Sequence, residues 1–189
     1  EKASFHETLQ AWNNIRKQVY DKYSAISEAA GQSTKIDLSN VADDLLKVSS
    51  SVHTRAFKKA ASLLQNDLLG NFALYDDAGQ VIGFRPVSPK ELESYLSDLY
   101  LEAASSIAGR SEKAYGELAA GLSRRIRGML DDTITSSQGP QYSELRGEYS
   151  ALKSIENDLV KKFQQELRQI GGGLTDYVNI FSSGDIIGG

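Results

Sequence analysis

From Tyr142 to Ile170 the apolar residues Tyr142, Leu145, Tyr149, Leu152, Ile155, Leu159, Phe163, Leu167 and Ile170 recur by threes and fours without a lapse. The run stops at three consecutive glycines, Gly171 to Gly173. Such stepping lays the apolar side chains along one side of a helix. Asp158, Lys162 and Glu166 add an i,i+4 ladder on the outside, worth a few tenths of a kcal/mol per pair. At 1.5 Å rise per residue a helix of about 30 residues spans roughly 45 Å. A compact globule of 189 residues would be about 40 Å across. The helix is as long as the domain should be wide. The expected fold is therefore mainly α, an elongated bundle of antiparallel, coiled-coil-like helices, with one small β-hairpin.

The rest of the chain fits this frame. Phe5, Leu9, Trp12, Ile15, Val19, Tyr23 and Ile26 form a first stripe, which Gly31 should close. Asp37 or Ser39 then caps a helix carrying Leu38, Val41, Leu45, Val48, Val52, Leu64 and Leu68, with Gly70 as its stop. Ser49, Ser50 and Ser51 weaken its middle, so a break is possible there. Residues 72–86 change character: "FALY" and "QVIGF" flank the turn-rich "DDAG", the pattern of a hairpin. An isolated hairpin is marginal in water, so this one must lean on the helices or pair with another chain.

Ser88, Pro89 and Glu91 read as N-cap, first helical residue and returning carboxylate of a capping box, with Val87 and Leu92 as a hydrophobic staple. That helix runs through Leu92, Leu96, Leu99, Ala103 and Ile107 towards Gly109. Ser111 is the expected cap of the next, which carries Tyr115, Leu118, Leu122, Ile126, Met129 and Ile134. Gly116, Gly121 and Gly128 interrupt it at about 1 kcal/mol each. With Ala119 and Ala120 beside them, a close-packing face is the preferred reading. The organisation expected is a helical bundle over 1–173 with the hairpin inserted at about 72–86. The glycine-rich segment 174–189 follows. Its Val178, Ile180, Phe181, Ile186 and Ile187 call for burial on the bundle, on another subunit or on a continuation of the chain.

Several functions are disfavoured by composition. The absence of cysteine removes disulfides and thiolate chemistry. A net charge of −4 with both signs interspersed argues against a coat for nucleic acid or an anionic membrane. No apolar run approaches the roughly 20 residues of a membrane span. The chain starts at Glu1 with no signal-peptide pattern, which reads as an internal piece of a longer protein or a processed product.

The histidines are His6 and His53. "HETLQ" begins like a metalloprotease helix but has Gln10 where the second histidine belongs. Asp76, Asp77 and Gly79 suit a hairpin turn better than a calcium loop, because the completing glutamate is missing. Asp131 and Asp132 are adjacent, hence about 100° apart on a helix, and do not converge. No phosphate cradle and no nucleophile elbow is present. No catalytic residue, cofactor or metal is assigned on these grounds, and an enzyme is the weakest class.

Two basic clusters remain, Arg124, Arg125 and Arg127 in "SRRIRG" and Arg55, Lys58 and Lys59 in "HTRAFKK". A solvated face paired to nearby acids is preferred for both. The alternative is a nucleic-acid contact through Arg124, Arg125 and Arg127.

The stretch "SRRIRGMLDDTITSSQGPQYSELRGEYSALKSIENDLVKKF", with "YDDAGQVIG" and "IFSSGD", resembles segments of large helical proteins of tailed-bacteriophage particles. The likeness runs loosely over residues 72–184. It implies a virion component, internal, ejected or tail-associated, and carries over no catalytic position. The function expected is that of a structural or assembly protein acting by protein–protein packing, in a virion or otherwise in the cytoplasm. Its partners would be other subunits or the rest of a longer chain. The residues expected to carry the contact are Phe72, Leu74, Val81, Ile82 and Phe84 of the hairpin and Tyr142, Tyr149 and Phe163 of the long helix.

Overall fold

The computed structural model describes residues 4–29, 34–51, 54–109, 113–137 and 139–171. In chain order these form α1 (Phe5–Ala29), α2 (Ser39–Ser51), α3 (Arg55–Phe72), β1 (Ala73–Tyr75), β2 (Val81–Phe84), α4 (Pro89–Gly109), α5 (Lys113–Thr135) and α6 (Ser143–Gly171). A short 3-10 turn, Pro140–Tyr142, leads into α6. The fold is mainly α with one two-stranded antiparallel hairpin.

Helices α1, α4, α5 and α6 close a ring: α1 packs on α4, α4 on α5, α5 on α6 and α6 on α1. Side-chain pairs fix their directions. Lys22 reaches Glu144 and Trp12 reaches Glu156, so α1 and α6 are antiparallel. Lys90 meets Asp21 while Tyr100 stacks edge-on to Trp12, so α1 and α4 are antiparallel too. Tyr115 bonds Glu102 and Arg127 bonds Glu93, which sets α5 against α4. Each neighbour around the ring therefore runs opposite to the next, as short connections favour. Helices α2 and α3 pack on each other and on α5.

Helix α5 is the centre of the molecule. Between Ala114 and Ser123 every residue but Tyr115 is buried, and Ile126, Arg127, Leu130 and Ile134 continue the burial. A single coiled-coil seam would leave the far side of this helix wet. Here α2 and α3 cover that side. The small residues Gly116, Ala119, Ala120 and Gly121 are all buried, as a close-packing face requires. Gly128 is not part of it: this residue is exposed, and a methyl group built there meets nothing within 4 Å.

Local chemistry explains the breaks. The apolar run after Asp37 is two helices, not one. Ser50 Oγ bonds back to the Leu46 carbonyl at 2.9 Å, and Thr54 starts α3 afresh by accepting the Phe57 N–H at 3.3 Å. Such back-bonding competes with helix continuation. Of the two candidate caps for α2, Asp37 holds the Ser39 N–H, at 2.9 Å, and these bonds to Ser39 keep its carboxyl below the ordinary range. Gly70 does not end α3, which continues to Phe72.

Ser88 caps α4 as expected, accepting the Glu91 N–H at 3.2 Å, with Val87 and Leu92 both fully buried. The Glu91 carboxylate, however, is held by Arg85 rather than serving the cap. Gly31 and Ser111 lie outside the described residues, as do 174–189.

Gly128 sits in a helix interior with room for a methyl group. Gly128→Ala should raise stability by roughly 1 kcal/mol, read as a shift in the urea unfolding midpoint. A loss instead would show that Gly128 does serve close packing.

Candidate functional site

Two features of the molecule go beyond ordinary packing: a charge cluster inside the helix ring and an apolar hairpin outside it. The cluster is built from one side chain or more of each ring helix. Arg127 on α5 donates through Nε to both oxygens of Glu156 on α6, at 2.8 and 2.9 Å. Its Nη1 and Nη2 reach Glu93 on α4 at 2.8 and 3.1 Å. Nη1 also donates to the Tyr20 hydroxyl of α1 at 2.9 Å, and Trp12 Nε1 donates to Glu156 at 2.8 Å.

All five side chains are buried. Burial pushes the Glu93 carboxyl above its ordinary range, against the pull of Arg127. Burial also works to lower the guanidinium of Arg127, but Glu156 and Glu93 outweigh it and the group stays firmly charged. Two carboxylates against one guanidinium leave an excess negative charge. Arg16, stacked 5.5 Å over the Trp12 ring and in the field of Glu93 and Asp98, offsets it from the half-buried rim.

This arrangement settles where the sequence-predicted arginines lie. Arg127 is closed inside the bundle with two carboxylates and has no face for a phosphate. Arg125 is paired with the buried Asp44 of α2 at 3.3 Å. Arg124 is half-buried. The three arginines thus point to different surroundings and form no joint basic surface. Arg55, Lys58 and Lys59 are exposed at the start of α3. His6 is exposed, and His53 lies outside the described residues. Among the described residues no group of three or more His, Cys, Asp or Glu side chains is placed to hold a metal ion, and none of the helices is long and apolar enough to cross a membrane.

The residues expected to make contacts divide in the same way. Tyr142 and Tyr149 are buried in this chain's own core, Tyr142 against Tyr23. Phe72 is buried edge-on against Tyr95, and Phe84 is packed on the core. The side chain of Phe163 lies outside the described residues. Phe72, Tyr142 and Tyr149 are poorly placed to lead a docking surface, because the bundle already buries them. The remaining hairpin residues behave otherwise. Leu74 is 45 % exposed, Val81 44 % and Ile82 66 %, and Tyr75, which sequence reasoning passed over, is 49 % exposed. Single exposed leucines such as Leu46, Leu63 and Leu101 are ordinary. Four large apolar side chains on one seven-residue hairpin sheet are not.

The hairpin is held at its base and bare at its tip. Arg85 donates to the Asn71 carbonyl at the end of α3, at 3.0 and 3.2 Å, and to Glu91 at the start of α4, at 3.0 Å. Its guanidinium also lies 5.1 Å over the Phe72 ring. A bridge between Ile36 and Val87, with both backbone bonds made at 2.8 and 3.0 Å, ties the exit strand down. In the turn, Asp76 Oδ1 accepts the N–H groups of Ala78 and Gln80, and Gly79 takes the positive φ of 79° that closes it. Leu74 faces Gly83 but Tyr75 faces Val81, so Ile82 is an extra residue with nothing opposite, a β-bulge. The most exposed apolar residue is the one the bulge re-aims.

Comparison with protein families, curated proteins and solved structures finds no match to this chain.

Two outcomes follow from this geometry. Arg127→Leu should cost about 3–5 kcal/mol, because two buried carboxylates lose their cation. The triple change Glu93→Leu, Arg127→Leu and Glu156→Leu should regain much of that loss, short of the whole because Trp12 and Tyr20 lose partners. Urea unfolding of the three proteins checks both. In the second, the Arg85 hydrogen bonds hold the Glu91 carboxyl below its ordinary range. A carboxyl lowered on folding stabilises above its unfolded value, and that contribution is lost as pH falls through the folded one. Acidification through and below the ordinary carboxylate range should therefore lower the amide protection factors of Val81–Phe84 before the bundle unfolds, and Glu91→Gln should show the low protection already at neutral pH.

Proposed function

We propose that this chain is a structural component that acts by packing on other protein subunits, with the hairpin as its docking element. The observation that carries the reading is the exposed apolar set Leu74, Tyr75, Val81 and Ile82 on a hairpin whose base is fixed by Arg85 and the Ile36–Val87 bridge. At about 25 cal/mol per Å² of apolar surface, leaving these side chains in water forgoes several kcal/mol that a partner would recover. A rigid base with an apolar tip is pre-organised for docking, since little order has to be gained on binding.

The setting we propose is a larger particle, of the kind implied by the likeness to tailed-bacteriophage virion proteins. In that setting the stiff ring of helices acts as a spacer and the hairpin as a joint, with no catalytic step. The nucleic-acid alternative is the weaker reading, because Arg125 and Arg127 are engaged with carboxylates of the chain itself.

Analytical ultracentrifugation of the chain over a range of concentrations tests the reading. Association that disappears in Ile82→Lys, with the thermal melt unchanged, is the expected result. A wild-type chain that stays a compact monomer at high concentration would count heavily against it.

A further inference from the structure

Closing the ring sets two carboxylates on one guanidinium, away from water. Arg127 lies between Glu93 and Glu156, and all three side chains are buried. A net charge is costly in such a place, and a buried titratable group there gains or loses a proton to shed it. This cluster becomes neutral by gaining one.

The elements packed around Glu93 do not remove the imbalance. Helix α1 presents Arg16 and the Tyr20 hydroxyl, which accepts from Arg127. Arg16 is half-buried, burial works against its charge, and it stands in the field of Asp98 as well as Glu93. Two arginines, Arg16 and Arg127, thus face three carboxylates, Glu93, Asp98 and Glu156. Helix α6 adds the Tyr149 phenol, in the field of Arg127 and Glu156. Arg124 on α5 is half-buried and bears on Tyr100. Asp67 of α3 accepts from Tyr95 at 3.1 Å and takes no part in the cluster's hydrogen bonds.

The hydrogen bonds select which carboxylate takes the proton. Glu156 accepts Arg127 Nε at both oxygens and Trp12 Nε1 besides. Glu93 accepts from Arg127 alone among the described residues, at 2.8 and 3.1 Å. A carboxylate with fewer donors holds its charge less well. Four residues further along α4, the buried Ser97 hydroxyl has no hydrogen-bond partner among the described residues. Side chains at that spacing are neighbours on a helix, so an acceptor for the added proton is at hand.

We infer that the ring takes up a proton at Glu93 as it closes, so that mild acid tightens the bundle. Burial, which raises the Glu93 carboxyl, acts in the same direction. A carboxyl raised on folding contributes stability that is complete below its unfolded value and is lost as pH rises through the folded one. Glu91, two residues earlier and held by Arg85 outside the ring, has the opposite sign. Acid therefore tightens the ring while it loosens the base of the hairpin.

The experiment uses the full chain. Urea unfolding from about pH 4 to about pH 8 compares the wild type with Glu93→Gln, which cannot titrate there. Relative to the variant, the folding constant of the wild type should fall as pH rises, by up to about tenfold per pH unit. In the same comparison, acidification should raise the amide protection of Leu96 and Leu99 on α4 while that of Val81–Phe84 falls. A second measurement needs no variant. The carboxyl carbon resonance of Glu93, assigned through its own side chain, should titrate above the ordinary carboxylate range in the native wild type.

Parallel stability profiles for the two proteins overturn the inference. A Glu93 resonance that titrates within or below the ordinary range overturns it as well, and decides alone if Glu93→Gln does not fold. Leu96 and Leu99 losing protection in step with Val81–Phe84, relative to the variant, overturn the opposed response of ring and hairpin.

Discussion

The contact on which the rest depends is the pairing of Arg127 with Glu93 and Glu156. Each of the four ring helices contributes to it: Trp12 and Tyr20 from α1, Glu93 from α4, Arg127 from α5 and Glu156 from α6. A buried ion pair of this kind is a poor source of net stability, because removing the charges from water costs about as much as their attraction returns. Its effect is on which arrangement wins. Sliding α4, α5 or α6 by one turn, about 5.4 Å, would leave a buried charge without its partner. Sliding α1 would strip the Trp12 and Tyr20 hydrogen bonds from the cluster, whereas leucine against leucine would tolerate the slip. The apolar stripes make the helices associate, and the charge cluster fixes their register.

Register fixed at that level has consequences further out. Because Glu93 sits one turn into α4, the start of α4 is held where Arg85 can span from Asn71 to Glu91. That span in turn holds the base of the hairpin. The small residues of α5 let α4 and α3 approach closely on different sides of it. Among the described residues the apolar stripes of the ring are taken up by the core, and the hairpin tip stands outside it.

The stripes, the capping serine at 88, the staple of Val87 and Leu92 and the hairpin turn were all legible in the sequence. Each is a local pattern with a local cause. What was not legible is set by contacts far apart in the chain. Glu93, Glu117, Arg127 and Glu156 are buried, yet a pattern reading assigns every charge to a solvated face. Nothing within ten residues of Arg127 announces that its partners lie 34 and 29 positions away. The same blindness assigned Tyr142 and Tyr149 to a contact with a partner, since a stripe says that a residue is covered but not by which chain. A signal was present for Arg127: it falls one residue after Ile126 and three before Leu130, on the apolar side of α5, where an arginine needs a buried partner.

The exposed hairpin joins these levels. A two-stranded sheet has too few internal contacts to hold its own shape, and here its shape comes from Arg85, the Ile36–Val87 bridge and the Asp76 turn. Bare sheet edges invite indiscriminate pairing, which short strands and bulges discourage. This hairpin has both, with strands of three and four residues and a bulge at Ile82. A charged clamp braces its base while short strands restrict its edges, a combination that suits the docking role proposed for it. Bracing together with restriction is what selective docking requires: a surface rigid enough to be recognised and short enough to refuse most strands. The interior cluster sets the register, the register sets the clamp, and the clamp decides how the tip is presented.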